Sequence, residues 1–225
     1  MRYLFIWAVA LCCSTATMAQ DYLQNVKTAL QKTWPQNKTV NLVFHGHSVP
    51  SGYFRTPDVQ TLSAYPQLVL KALKAKYPNA VINVIVTAIG GENAVQGAAR
   101  FRKTVLNHQP DVLFIDYALN DRRVGLEKAK AAWEKMIRQA LKKKIKVVLL
   151  TPSPDISGAW DQPDNELAQH AAQIRALAEK YHTGLVDSYA IFSAQKDVKP
   201  LMAQSNHPNE KGHQLIADGI LQWFF

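Results

Sequence analysis

Five runs of β-branched and apolar residues punctuate the chain: VNLVF (40–44), AVINVIVTA (80–88), DVLFIDYAL (111–119), KVVLLTP (146–152) and a short TGLVD (183–187). A half-exposed strand would alternate apolar with polar residues; these runs are continuous, so each reads as a strand buried on both faces. Between them the apolar spacing changes to that of a helix. Val59–Tyr77 carries Leu62, Tyr65, Leu68, Val69 and Leu73, and Asn93–Asn107, Leu126–Lys144 and Asp164–His182 follow. A last helix after His207 has Leu215, Ile216, Ile220 and Trp223 on its apolar side. Strands that alternate with helices pair in parallel, with helical crossovers covering both faces. The expected fold is therefore an α/β three-layer α/β/α sandwich around a five-stranded parallel sheet.

A chain of 225 residues suits one domain with a sizeable core. It shows no internal repeat, low-complexity segment or dividing linker. The opening MRYLFIWAVALCCSTATMAQ has one early cation (Arg2), an apolar run from Tyr3 to Cys13, and small or polar residues ending at Ala19. It reads as a secretory signal peptide over residues 1–19, leaving a domain at 20–225 exported to a periplasm or outside the cell. The run is short for a bilayer span and lacks a basic stop, so no stable membrane insertion is expected. Leu11 before Cys12 and Cys13 is too bulky for a lipoprotein signal. Both cysteines lie in this leader, so the mature domain has neither a disulfide nor a thiolate nucleophile. The formal charge is +9, with lysines dispersed over helix patterns and one dense run, Lys142–Lys146, ending a helix where cations complement its dipole. No nucleic-acid-binding module is present, and an acidic surface or glycan is the more fitting partner.

In parallel α/β sheets ligands bind at the carboxyl ends of the strands. Here those ends read FHGHSVPSGYF (44–54), AIGGEN, ALND and the long TPSPDISGAWDQPDN (151–165), with SNHPNEKGH as a fifth element before the last helix. Serine-based hydrolysis needs a nucleophile, a base within hydrogen-bond reach, and donors aimed at a developing oxyanion. Ser48 is the candidate nucleophile. Gly91 offers a backbone N–H that no side chain shields, Asn120 a side-chain amide, and His207 a base fixed by Pro208 at or near the start of the final helix. Alone, each has an ordinary structural explanation as a turn or cap residue; their order and location carry the argument.

That order, Ser48, Gly91, Asn120, His207, resembles the SGNH hydrolases, also called the GDSL esterase/lipase family, over roughly Asn41 to Trp223. FHGHS stands where the family has its Gly-Asp-Ser block, AIGGENAVQGAARF resembles the second block, HQPDVLFIDYALND the third and NHPNEKGH the last. The resemblance implies a flavodoxin-like fold, ester hydrolysis through an acyl-enzyme without a cofactor, and an oxyanion hole of Ser48 N–H, Gly91 N–H and Asn120. Two positions depart from the pattern. His47 replaces the family's Asp before the nucleophile, and Gln204 stands three residues before His207, where the family has the Asp that orients the base. A glutamine cannot stabilise an imidazolium by charge. The expectation is a Ser–His dyad, with Gln204 or a backbone carbonyl accepting the ring N–H; a displaced carboxylate (Asp155, Asp161 or Asp164) is the alternative.

Candidate substrate contacts at the strand ends are His47, Tyr53, Glu92, Asp121, Arg122 and Trp160, the aromatic ones (with Phe54) as platforms for sugar rings. Short loops suit a small acyl group, and exported relatives of the resembled family often deacetylate polysaccharides. The expected activity is removal of short acyl groups, foremost O-acetyl, from a carbohydrate or other small ester. The alternatives are a lysophospholipase or thioesterase, or a catalytically weak glycan-binding relative. His45, His47, His207 and His213 raise a metal site as a rival, but the chain has no HExxH spacing and the mature domain no cysteine, so no metal is expected.

Overall fold

The structure, a computed structural model, describes residues 22–225; the signal-peptide reading of residues 1–19 lies outside them. A helix α1 (Gln24–Gln31) precedes β1 (Thr39–Gly46), a single turn α2 (Ser48–Ser51) and α3 (Tyr65–Lys76). Then come β2 (Val81–Val86), α4 (Ala94–Thr104), β3 (Val112–Asp116), a second single turn α5 (Ala118–Asp121), α6 (Leu126–Lys142) and β4 (Lys146–Leu150). The chain closes with α7 (Glu166–Tyr181), β5 (Gly184–Val186), α8 (Ser188–Ser193), a small hairpin of β6 (Met202–Gln204) and β7 (His207–Pro208), and α9 (Glu210–Leu221). Five strands form a parallel sheet in the order β2-β1-β3-β4-β5. The α/β architecture is the one expected from the strand–helix alternation.

The continuous apolar runs follow from this layering. Successive strand residues point to opposite faces, and here each face meets its own core. Leu42, Phe44, Val112, Phe114, Val148 and Leu150 join the cluster beneath α1, α3 and α9. Their neighbours Val43, Leu113, Ile115, Val147 and Leu149 join the cluster beneath α4 and α6, where Trp133 is fully buried. Fully burying one such side chain stabilises by about 1.5–3 kcal/mol, so a polar residue in any of these strands would be costly.

Three expectations need correction. β2 is an edge strand, half-covered rather than buried on both faces, and Val81 is 46% exposed. The helix expected from Val59 starts only at Tyr65, where Pro66 suits its first turn. Leu62 precedes it in a 3₁₀ turn, 82% exposed, and belongs to no apolar face. Finally, the last helix follows His207 as expected, but Pro208 is not in its first turn. Both residues form β7, and α9 begins at Glu210 with Asn209 as its cap, accepting from Lys211 N at 3.0 Å and Gly212 N at 3.2 Å.

Candidate active site

β1 and β3 end side by side, Gly46 opposite Asp116. A Cβ on Gly46 would stand 2.3 Å from the Asp116 carbonyl oxygen and 2.8 Å from Pro50 Cγ, so only glycine lets the strand pass into the turn that carries Ser48. His47 caps that turn, its Nδ1 accepting from Val49 N at 3.3 Å. Ser48 is the first residue of the turn, so its N–H has no intrahelical acceptor and stays available. The His47 ring is fully buried: Nδ1 lies 3.4 Å from Ser48 Oγ, and Nε2 is 3.3 Å from Asp116 Oδ1, an electrostatic contact without hydrogen-bond alignment. Asp116 in turn accepts from the Tyr65 hydroxyl at 3.1 Å. His47, expected as a substrate contact, thus supports the nucleophile from below.

His207 Nε2 lies 2.8 Å from Ser48 Oγ. Burial first, and the neighbouring His47 second, lower its pKa to about 4, while the Phe54 backbone and the Asp155 carboxylate favour the protonated ring. Its Nδ1 is buried without an aligned hydrogen-bond acceptor. Gln204 does not fill that role. Its Oε1 accepts from Thr56 N at 2.9 Å and its Nε2 donates to Asn206 Oδ1 at 3.0 Å, so it ties the 55–57 loop to the hairpin instead of orienting the base. Among the displaced carboxylates, Asp161 and Asp164 are exposed. Asp155 is the one that acts on the ring through space, yet its oxygens are taken by Arg122 Nη2 at 2.7 Å and Ser157 Oγ at 2.6 Å.

On the other side of Ser48, Gly91 has φ +80°, a left-handed conformation that favours glycine, and a Cβ there would meet nothing within 4 Å. Among the described residues its N–H makes no hydrogen bond. Asn120 lies not at a strand end but in the helical turn α5, where its Nδ2 donates one hydrogen to the Glu92 carbonyl at 2.9 Å and keeps a second. The Glu92 side chain is clamped by Arg100 through Nε at 2.9 Å and through Nη2, and it accepts from the Tyr117 hydroxyl at 3.2 Å. Beside it, Tyr117 touches His45, which burial and then the Arg100 charge lower to about 3. Asp121 is fully buried, accepting from Ala94 N and Trp133 Nε1, each at 2.7 Å, and burial raises its pKa to about 6. Glu92 and Asp121, expected as substrate contacts, are therefore the frame that fixes Gly91 and Asn120.

Ser48, Gly91, Asn120 and His207 face one cavity of about 320 Å³, which Tyr53 also lines. Arg122 does not reach it; its Nε donates to the Leu119 carbonyl at 3.0 Å and its Nη2 to Asp155. Trp160 is packed away from it, edge-on to Tyr189 at 5.3 Å, whose hydroxyl donates to the Trp160 carbonyl. Arg123, Thr56 and Asn206 do line the cavity and were not anticipated, although Arg123 and Asn206 lie within three residues of Asn120 and His207. Among the described residues no three His, Asp or Glu side chains are grouped to hold a metal, and no helix is long and apolar enough to cross a membrane.

Residues 44–215 match the model of the GDSL-like lipase/acylhydrolase family. An acetylxylan esterase of Geobacillus stearothermophilus is 23% identical over 175 residues, covering 71% of this chain and 80% of that protein. The crystal structure of Axe2, an acetylxylan esterase of the same organism, superposes with a TM-score of 0.72 at 22% identity, covering 82% of this chain and 94% of the other. A two-domain esterase active on acetylated mannans gives a TM-score of 0.71 at 22% identity, covering 90% of this chain but 52% of that one. The family match spans most of the chain and reaches from β1 into the last helix: the chain belongs to the GDSL-like lipase/acylhydrolase family and is a carboxylic ester hydrolase.

Proposed function

We propose that the protein is an exported carbohydrate esterase that removes O-acetyl groups through an acyl-enzyme on Ser48. The observation that carries this reading is the 2.8 Å contact between Ser48 Oγ and His207 Nε2, facing a cavity shared with Gly91 and Asn120. Ser48 Oγ attacks the ester carbonyl carbon while His207 Nε2 takes its proton. Ser48 N–H, Gly91 N–H and the second Asn120 amide hydrogen hold the oxyanion of the tetrahedral intermediate. Its collapse expels the sugar alkoxide, which the same ring protonates, and water activated by His207 then hydrolyses acetyl-Ser48. A pKa of about 4 keeps the ring neutral, and so competent as a base, at any pH near neutrality. Without a carboxylate on Nδ1 the imidazolium gains little support, so stabilisation of the oxyanion has to supply more of the rate.

The size of the acyl group follows from the cavity. About 320 Å³ is near the lower end of ligand pockets, and apart from Tyr53 and two glycines its lining is polar, which suits a short acyl group better than a long chain. The acetylxylan esterase relative and the neighbour active on acetylated mannans support a sugar as the alcohol. A series of p-nitrophenyl esters from acetate to octanoate, run beside acetate release from acetylated xylan and mannan, tests the proposal. Acetate should give the highest kcat/KM and both glycans should release it. A preference for octanoate, or for a thioester or lysophospholipid, would replace the proposal with a lipid-directed or thioester activity.

A further inference from the structure

We propose that the catalytic cavity continues into a second binding site that takes the neighbouring neutral sugar of an oligosaccharide, so that the working substrate is at least a disaccharide. The inference rests on the esterase reading above. A cavity of about 340 Å³ adjoins the first and shares Asn120, Arg123 and Asn206 with it as a common wall. Its remaining walls are Arg122, Asp155 and Glu166, with Leu119 as the single apolar member.

The chemistry of this lining is that of a sugar ring, not of an anion or a lipid. Arg122 and Asp155 neutralise one another at 2.7 Å, and Arg122 is further fixed on the Leu119 carbonyl, so they form a rigid polar floor. Arg123 and Glu166 differ from them. Among the described residues, neither side chain makes a hydrogen bond or an ion pair, although both face the same cavity. A guanidinium donates only and a carboxylate accepts only, whereas sugar hydroxyls do both, so such a pair suits neighbouring hydroxyls of one ring. Two cations and two anions in the lining cancel, and a uronate or phosphate would meet Asp155 and Glu166. No aromatic side chain lines this cavity, so hydrogen bonding rather than ring stacking has to provide the affinity.

Charged side chains beside a cleft are common on any surface; what singles these out is position. Asn120 stands in the shared wall. An ester whose carbonyl oxygen is held by Asn120 has both cavities within reach, and in the proposed site its sugar lies at the junction, with the next residue of the chain on the Arg123–Glu166 side. A p-nitrophenyl ester has nothing to place there.

The test compares kcat/KM for three substrates: p-nitrophenyl acetate, an acetylated methyl xyloside and the matching acetylated xylobiose, with the mannose pair run in parallel. One or two net hydrogen bonds predict a disaccharide-to-monosaccharide ratio of roughly tenfold or more in the better sugar series. Glu166→Ala and Arg123→Ala should each bring that ratio toward one. A wild-type ratio near one in both series, or a ratio that survives both substitutions, would overturn the second site. A larger advantage for an acetylated galacturonate dimer would overturn its assignment to neutral sugars. Failure of wild-type protein to cleave any of these esters, p-nitrophenyl acetate included, would instead remove the esterase reading on which the site rests.

Discussion

The two walls of the catalytic cavity are built differently. On the nucleophile's wall the functional groups have polar partners behind them: Ser48 has the buried His47 and Asp116, and Asn120 has the half-buried Glu92, next in sequence to Gly91 and itself clamped by Arg100 and Tyr117. On the base's wall, His207 sits in a two-stranded hairpin with an irregular register, its Nδ1 has no aligned acceptor, and Gln204 is engaged by Thr56 and Asn206. Preorganised donors are worth most where charge develops in a water-poor site. The contrast teaches that this chain has invested in holding an oxyanion, while its base has no carboxylate on Nδ1 and only the Phe54 backbone and the more distant Asp155 charge to offset burial.

Substitutions on each wall should show that asymmetry. The largest effect belongs to Ser48→Ala, which removes the covalent route and should lower kcat on p-nitrophenyl acetate by at least ~10³-fold. A mutant with a tenth of wild-type turnover would dissolve the comparison, because the two walls would no longer face a nucleophile. Asn120→Ala should cost roughly 10²–10³ in kcat and move KM little, since the donor acts on the transition state. If only KM moves, the donor wall is a binding wall. Arg100 touches no substrate, yet Arg100→Ala frees the Glu92 carboxylate and so loosens the residue whose backbone carbonyl aims the Asn120 amide. Small misplacements of this kind cost up to about 10²-fold in kcat, and Arg100→Lys, which keeps the charge but loses the fork, should recover only part. On the other wall, Gln204→Ala removes a tie to Thr56 worth about 1 kcal/mol, so turnover should fall at most about fivefold. A loss as deep as that of His207→Ala would show that the glutamine orients the base after all.

The order of legibility follows the physics of burial. β1, β3 and β4 announce themselves because alternate residues such as Leu42 and Val43 enter different cores, which forces continuous apolar runs. The same composition misleads at β2, where an edge position leaves Val81 in water, since composition does not record how many neighbours a strand has. The residues of the site were visible as types in the segments that follow the strands and precede the last helix. The supporting contacts were not. Whether Glu92 and Asp121 face substrate or frame depends on Arg100, Tyr117 and Trp133, and the pairings arise only when α4, α5 and α6 pack together. Trp160 fails as a sugar platform for the same reason, because Tyr189, from another element, claims its carbonyl and its ring edge.

The central claim is that His207 works as a base without a carboxylate, and the pH dependence of kcat/KM on p-nitrophenyl acetate tests it most directly. Burial and His47 hold the ring at about 4, so it is neutral above that pH and protonated below it. The profile should therefore stay level from neutral pH downward and fall only as pH drops through about 4. An acidic limb at the ordinary imidazole value of about 6.5 or higher, which a carboxylate on Nδ1 would produce, would contradict the account.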